Sequence, residues 1–151
     1  MKAEGGLPSP WARVVVDTNL LLSAAIAPSG TPAALVDRLL AGSRLVFTEA
    51  TFAEFETRIW KPKFDRYLPV ETRRWLLRDF NASAAWVAPG PDLVAKKWSS
   101  DPDDDAFIRA AYASGAQRLV SGDDDLLCLR HLNDLSILTP RAALEEIGRT
   151  A

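Results

Sequence analysis

The stretch Arg13-Val14-Val15-Val16-Asp17-Thr18-Asn19 decides how the rest of the chain is read. Three consecutive β-branched apolar residues are too few for a helix and too continuous for a half-exposed strand, so Val14–Val16 predicts a strand buried on both faces of a sheet. Asp17 then stands at the C-terminal end of that strand, with no Lys or Arg directly after it. Burying a lone carboxylate there is unfavourable unless a cation or hydrogen-bond donors meet it. In open α/β sheets the carboxyl ends of strands are where ligands bind. A plainer alternative is that Asp17, Thr18 and Asn19 cap a helix, because all three residue types satisfy orphan N–H groups.

Working outward, residues 20–27 form an apolar run ended by Pro28-Ser29-Gly30. Thr31-Pro32 restarts a helix with a capping hydroxyl and an early proline, and Leu35, Val36, Leu39 and Leu40 form its buried stripe. Leu45-Val46-Phe47 predicts a second strand, followed by Thr48 as the cap of a helix to about Arg58, with Phe52, Phe55 and Ile59 on one face. Lys61-Pro62 breaks that helix, and Pro69 opens another over residues 70–80, with Trp75, Leu76 and Phe80 inward and Arg73, Arg74 and Arg78 outward. Trp86-Val87 is a weak strand, and residues 92–100 carry no clear pattern. Asp101-Pro102 starts a helix over residues 103–113 that Gly115 ends. A strand at residues 118–121, a short helix at 124–129, a last strand at 136–138 and a helix at 141–147, capped by Thr139-Pro140, complete the chain. Strands alternating with helices, without linker or repeat, predict one three-layer α/β/α domain with a central, mainly parallel sheet over residues 12–151, behind a flexible leader at 1–11.

Composition sets the class. The hydrophobic share of 48% and charged share of 25% are those of an ordinary globular domain. Cys128, the single cysteine, lies among Leu126, Leu127 and Leu129 and reads as a packed thiol in a reducing compartment. A thiol nucleophile is disfavoured, since the lone histidine, His131, falls in a turn-like segment. No apolar stretch reaches the ~18 residues of a membrane span, and residues 1–10 lack the apolar core of an export signal, so a cytoplasmic location is expected.

Net charge is −2, yet the charges are segregated. Arg58, Lys61, Lys63, Arg66, Arg73, Arg74 and Arg78 face only Asp65 and Glu71 in the same segment. Trp60, Phe64, Tyr67 and Trp75 are interleaved there, a mixture suited to phosphate contacts and base stacking, with a solvated helix face as the plainer alternative. Between Asp101 and Asp125 the balance reverses. Asp17 and Asp123 follow strands, Glu54 lies on the helix after the second strand and Asp103–Asp105 stand at a helix N-terminus. Right-handed crossovers bring the ends of the parallel strands to one sheet edge, where these segments are expected to converge. Converging carboxylates repel unless a cation sits among them, and oxygen ligands without His or Cys select Mg²⁺ or Mn²⁺. Such sites hydrolyse phosphodiesters, one ion activating water and another steadying the leaving oxygen. Periodicity does not say which of Asp103, Asp104 and Asp105 points at the site, because apolar residues spread around much of that helix.

Val-Val-Asp-Thr-Asn at 15–19, Thr48 with Glu54, Asp-Pro-Asp-Asp-Asp-Ala-Phe-Ile at 101–108 and Leu-Val-Ser-Gly-Asp-Asp-Asp-Leu-Leu at 119–127 together resemble the PIN-domain family, most closely its VapC-like toxin branch. The resemblance covers residues 13–147 and implies a metal-dependent ribonuclease of Mg²⁺ or Mn²⁺, an RNA substrate, a cognate antitoxin and a homodimer. It implies Asp17, Glu54, Asp105 and Asp123 as catalytic metal ligands, Asp103 and Asp125 as accessory acids, and Asn19 and Ser121 as polar support, Ser121 departing from the more usual threonine. Lys61, Lys63, Arg73, Arg74 and Arg78 are then the expected RNA contacts. With Asp105 as ligand, Asp104 is expected to be exposed, since neighbours on a helix point ~100° apart. Three other readings stand beside it: a catalytically idle RNA-binding module, an RNA-processing nuclease outside any toxin–antitoxin pair, and phosphoryl transfer through Asp17. The last usually requires a second aspartate where this chain has Asn19.

Overall fold

The computed structural model describes Leu7 and residues 10–150. Its six strands are β1 (Arg13–Val16), β2 (Arg44–Phe47), β3 (Ala85–Trp86), β4 (Arg118–Val120), β5 (His131–Leu132) and β6 (Leu135–Leu138). They lie in the order β3-β2-β1-β4-β6-β5, and every neighbouring pair is parallel except β5 with β6. The helices are α1 (Thr18–Ile26), α2 (Thr31–Gly42), α3 (Glu49–Ile59), α4 (Val70–Ser83), α5 (Pro91–Ala95), α6 (Pro102–Ser114), α7 (Asp124–Leu127) and α8 (Pro140–Thr150).

Successive strand side chains point to opposite faces, so the all-valine β1 supplies two cores. Val14 and Val16, with Leu45, Phe47 and Val120, pack against the apolar faces of α1 to α4 and α8. Val15, Val46, Leu119 and Ile137 pack against α6 and α7 on the other side. The result is the three-layer α/β/α arrangement with a mainly parallel sheet that the valine run predicts. No single described helix is long and apolar enough to cross a membrane.

Several local expectations need correction. α2 is capped by Gly30 without a side-chain bond, so Thr31 is its first helical residue and not its cap. In α4, Arg73 is buried and Trp75 is 57% exposed, the reverse of the expected orientation. Arg73 donates to Asp65 at 3.0 Å, and its guanidinium lies 5.5 Å from the centre of the Trp60 ring, which together give the buried cation a partner. Cys128 is exposed, its thiol donating to the Asp125 carbonyl, because the short α7 ends at Leu127. The hairpin of β5 and β6 turns at Asn133, whose φ of 57° suits asparagine.

The loose leader expected at 1–11 is corrected at Leu7 and Trp11. Trp11 is fully buried and Leu7 nearly so, with the Leu7 N–H bonded to the Gly42 carbonyl. Residues 1–6, 8 and 9 lie outside the described residues. Trp11 Nε1 and Arg118 Nε both donate to one oxygen of Glu146 on α8, each at 2.7 Å, and the Arg118 guanidinium covers the Trp11 ring. Burial alone would raise the Glu146 carboxyl, but Arg118, the Trp11 indole and Arg149 hold it below its usual value. A depressed carboxyl stabilises the fold above its unfolded value and loses that contribution as pH falls through the folded one. Glu146→Gln should therefore lower unfolding free energy by about 1.5–3 kcal/mol near neutral pH, the usual worth of hydrogen bonds to a charged group. In urea titrations the gap to wild type should close below about pH 4.

Candidate metal centre

The strand order reverses at β1, with β2 on one side and β4 on the other, and this is where α/β sheets open a crevice at their C-terminal edge. Asp17 follows β1 there. One of its carboxylate oxygens caps α1 by accepting from Leu20 N at 2.8 Å, and the other accepts from the Ser121 hydroxyl at the end of β4. The Asp17 backbone N–H bonds to the Val120 carbonyl. Asp17 thus caps α1, as the plainer reading has it, and also lines the crevice. Burial raises its pKa above the usual carboxylate value; bonds from Ser121 and Leu20 partly counter this, and the charge of Asp123 adds to it.

Ser121 is fully buried and accepts the Asp123 N–H at 2.9 Å, so a single hydroxyl fixes two acids. Asp123 in turn caps α7 through Asp125 N. From the opposite wall, the first turn of α6 contributes Asp104. Carboxylate oxygens of Asp104, Asp123 and Asp125 lie within 4.8 Å of one another. Asp104 is 5% exposed, and its Oδ2 is buried without a hydrogen-bond partner. Burial first, then the charges of Asp123, Asp101 and Asp125, push its carboxyl up to about 7.

The α6 register departs from the expected one. Asp101 is the N-cap and Pro102 the first helical residue, as read, but Asp104 faces the crevice and Asp105 turns away. Asp105 Oδ1 accepts from Trp98 N at 3.1 Å, Ser99 N at 2.9 Å and the Ser99 hydroxyl at 3.1 Å, so it ties down the segment before α6 and is absent from the acidic cluster. Asp103 lies on the exposed rim. Thr48 caps α3 in a reciprocal bond with Thr51, and the helix delivers Glu54 to the crevice. There Glu54 accepts from the Thr18 hydroxyl at 2.7 Å and lies 3.1 Å from Arg58. Arg58 also donates to Asn19 at 2.9 Å.

These residues line a cleft of about 190 Å³, and a larger hollow of about 570 Å³ adjoins it through Asp17, Asn19 and Asp123, running on to Leu20, Ser23, Pro32 and Pro140. Hard carboxylates without His or Cys, with one buried oxygen unpartnered, suit a divalent cation such as Mg²⁺ or Mn²⁺. Of the expected RNA contacts, Lys61, Lys63, Arg74 and Arg78 are exposed, and Arg73 is not. Sequence reasoning missed Asp104 and Arg58. Arg58 was detectable as the residue one helical turn beyond Glu54.

The sequence profile of the PIN-domain family matches residues 13–125, which hold Asp17, Glu54, Asp104 and Asp123. The chain belongs to the PIN-domain family. PIN domains are generally nucleases, and the acidic crevice gathers carboxylates that could hold a divalent metal ion. The uncharacterized protein MJ1680 of Methanocaldococcus jannaschii is 31% identical over 147 residues, covering 91% of this chain and 92% of that one. Among solved structures, PAE2754 from Pyrobaculum aerophilum matches with a TM-score of 0.58 at 18% identity, over 93% of this chain and 98% of that chain. VapBC2 from Rickettsia felis, bound to a DNA fragment from its promoter, matches with a TM-score of 0.57 at 14% identity, over 84% and 98%. At those identities the likeness is one of fold.

The two neighbouring aspartates of α6 separate experimentally without any added metal. A carboxyl that titrates near 7 in the fold and near 4 in the unfolded chain binds its proton more tightly when folded, so metal-free stability should fall as pH rises from about 4 to about 7. Asp104→Asn should flatten that fall in chelator-treated protein and raise the melting temperature at neutral pH. Asp105→Ala orphans the N–H groups at 98 and 99 and should cost roughly 2–3 kcal/mol near neutral pH.

Proposed function

We propose that this PIN domain is an Mg²⁺- or Mn²⁺-dependent endoribonuclease that hydrolyses RNA phosphodiester bonds, and that it is the toxin of a toxin–antitoxin pair. The observation that carries the reading is the unpartnered, buried Oδ2 of Asp104 beside Asp123 and Asp125. A site that leaves a carboxylate in this condition is destabilised by its own charges, and a bound cation removes both the repulsion and the missing contact. Asp17, Asp104 and Asp123 would hold the ion, with Asp125 beside them and Glu54 and Asp103 at the cleft rim. This replaces Asp105 with Asp104 in the expected ligand set. A divalent ion bound there supplies Lewis acidity, activating water and offsetting charge on the phosphate.

The chain's own residues do the rest. Ser121 and Leu20 N hold Asp17 in one orientation, so the first ligand needs no rearrangement. The adjoining hollow gives room for the nucleotide next to the scissile phosphate. Lys61, Lys63, Arg74 and Arg78 supply phosphate contacts away from the cleft, and the exposed rings of Trp60, Tyr67 and Trp75 offer stacking faces. The complete set of acids favours an enzyme over an idle binding module. The fold likeness to a VapBC toxin–antitoxin complex supports a protein antitoxin as partner, and the homodimer implied by the family resemblance is proposed with it. A small, charged, DNA-binding protein encoded immediately upstream would support the toxin role, and its absence would favour an RNA-processing nuclease.

Calorimetric titration with Mn²⁺ should show binding that strengthens as pH approaches 7, where Asp104 sheds its proton. Asp104→Asn should reduce both Mn²⁺ affinity and cleavage of mixed RNAs on the order of 100-fold or more, since even outer-shell changes cost about 10–100-fold. Asp105→Asn should bind Mn²⁺ nearly as wild type does. The reverse ranking would return the ion to Asp105, and no binding at all would leave the idle module. On the basic surface, Arg74→Gln with Arg78→Gln should lessen the salt dependence of RNA binding by about 0.7 in log–log slope for each lost phosphate contact. Arg73→Gln should instead lower stability, because Arg73 is buried against Asp65 and Trp60.

A further inference from the structure

Among the described residues lining the acidic cleft, Arg58 is the single cation. It bridges three elements of the rim. Its Nη1 donates to Asn19 of α1 at 2.9 Å, its Nη2 lies 3.1 Å from Glu54 on its own helix, and the same nitrogen is 4.0 Å from Asp103 of α6. The side chain still keeps 32% of its surface open. An exposed ion pair one helical turn apart adds little to stability, so this convergence is not explained by folding. Glu54 has its other oxygen on the Thr18 hydroxyl and stands outside the close group of Asp104, Asp123 and Asp125. Its contacts are those of a residue that holds a guanidinium in place.

A polyanionic strand entering this cleft meets carboxylates on every wall, and an ion in the cluster neutralises them only locally. A guanidinium is a planar fork of five donors matched to phosphate oxygens. The contacts to Asn19 and Glu54 engage only the two terminal nitrogens, which carry two hydrogens each, so donors remain for an anion on the open side. Anchoring from two sides also removes much of the rotamer freedom that an arginine loses on binding. We infer that Arg58 binds a phosphate of the RNA strand beside the carboxylate cluster, with Glu54 and Asn19 positioning its guanidinium. The inference rests on the ribonuclease reading.

The test is fluorescence anisotropy of a short fluorescein-labelled oligouridylate against wild type, Arg58→Gln and Arg58→Lys over a series of KCl concentrations. Ca²⁺ replaces Mg²⁺, since it also takes oxygen ligands and neutralises the cluster. Arg58→Gln should weaken binding roughly tenfold at low salt, as expected for loss of a charge-assisted contact. It should also lessen the log–log salt slope by about 0.7, the release from one single-strand phosphate. Arg58→Lys should keep the slope and recover part of the affinity. In cleavage assays with Mg²⁺, Arg58→Gln should raise KM more than it lowers kcat. Equal slopes for wild type and Arg58→Gln would overturn the inference and leave Arg58 as the counter-ion of Glu54. If Arg58→Gln does not fold, the ¹⁵Nε resonance of Arg58 in the wild type, assigned by its loss in Arg58→Lys, should move on adding the oligonucleotide, and an unmoved resonance would be equally decisive against it. A wild type that binds no RNA at any salt would sink the ribonuclease reading, and this inference with it.

Discussion

The hydrogen bond from the Ser121 hydroxyl to the Asp17 carboxylate ties together the ends of β1 and β4, the strands between which the sheet changes direction. A buried acid must find donors or lose its charge, and Asp17 finds them on both sides of that gap: Ser121 from the neighbouring strand and Leu20 N from its own helix. Because the same hydroxyl accepts the Asp123 N–H, the position of the second acid follows from the first. The crevice is therefore framed by backbone and a buried serine, and only its far walls, α3 and α6, depend on helix packing.

On those far walls identical side chains have different fates. Asp101, Asp104 and Asp105 occupy one helical turn, yet the first closes the helix N-terminus, the second faces other carboxylates and the third gathers the N–H groups of residues 98 and 99. The two buried acids differ in what meets them. Asp105 is surrounded by donors, whereas Asp104 faces the carboxyls of Asp123, Asp101 and Asp125 and keeps one orphan oxygen. Local satisfaction separates a structural acid from one held ready for a cation, since a structural role has no use for an unpaired lone pair in a dry position.

How much was legible in the sequence follows from the same contrast. Val14–Val16 announced a two-faced strand because nothing else accommodates that run, and the alternation behind it gave the layers. The acids at strand ends were legible because parallel topology sends those ends to one edge. The α6 register was not: a one-residue difference rotates a side chain ~100°, and the apolar residues after Asp105 are too evenly spread to fix the phase. What decides it is the Trp98–Ser99 segment, where no pattern was visible and whose N–H groups claim Asp105. Arg73 was hidden for another reason. It shares the stripe of Leu76, Leu77 and Phe80 at helical spacing, so periodicity places it inward, and only the assumption that charge stays outside placed it outward. Its partners, Asp65 and Trp60, lie in the turn before the helix, beyond the window in which a helix face is read.

The sheet also ends in a particular way. Both edge strands, β3 and β5, are two residues long, against four in the central β1 and β2. An edge of that length offers another chain almost no ladder of free N–H and C=O groups, which is one of the ways native sheets avoid edge-to-edge association. Strand addition, the route by which many extended peptides attach to α/β proteins, is thereby closed to this fold. A chain that docks here must meet helices and side chains, so its specificity will be written in surface shape and charge and not in backbone pairing.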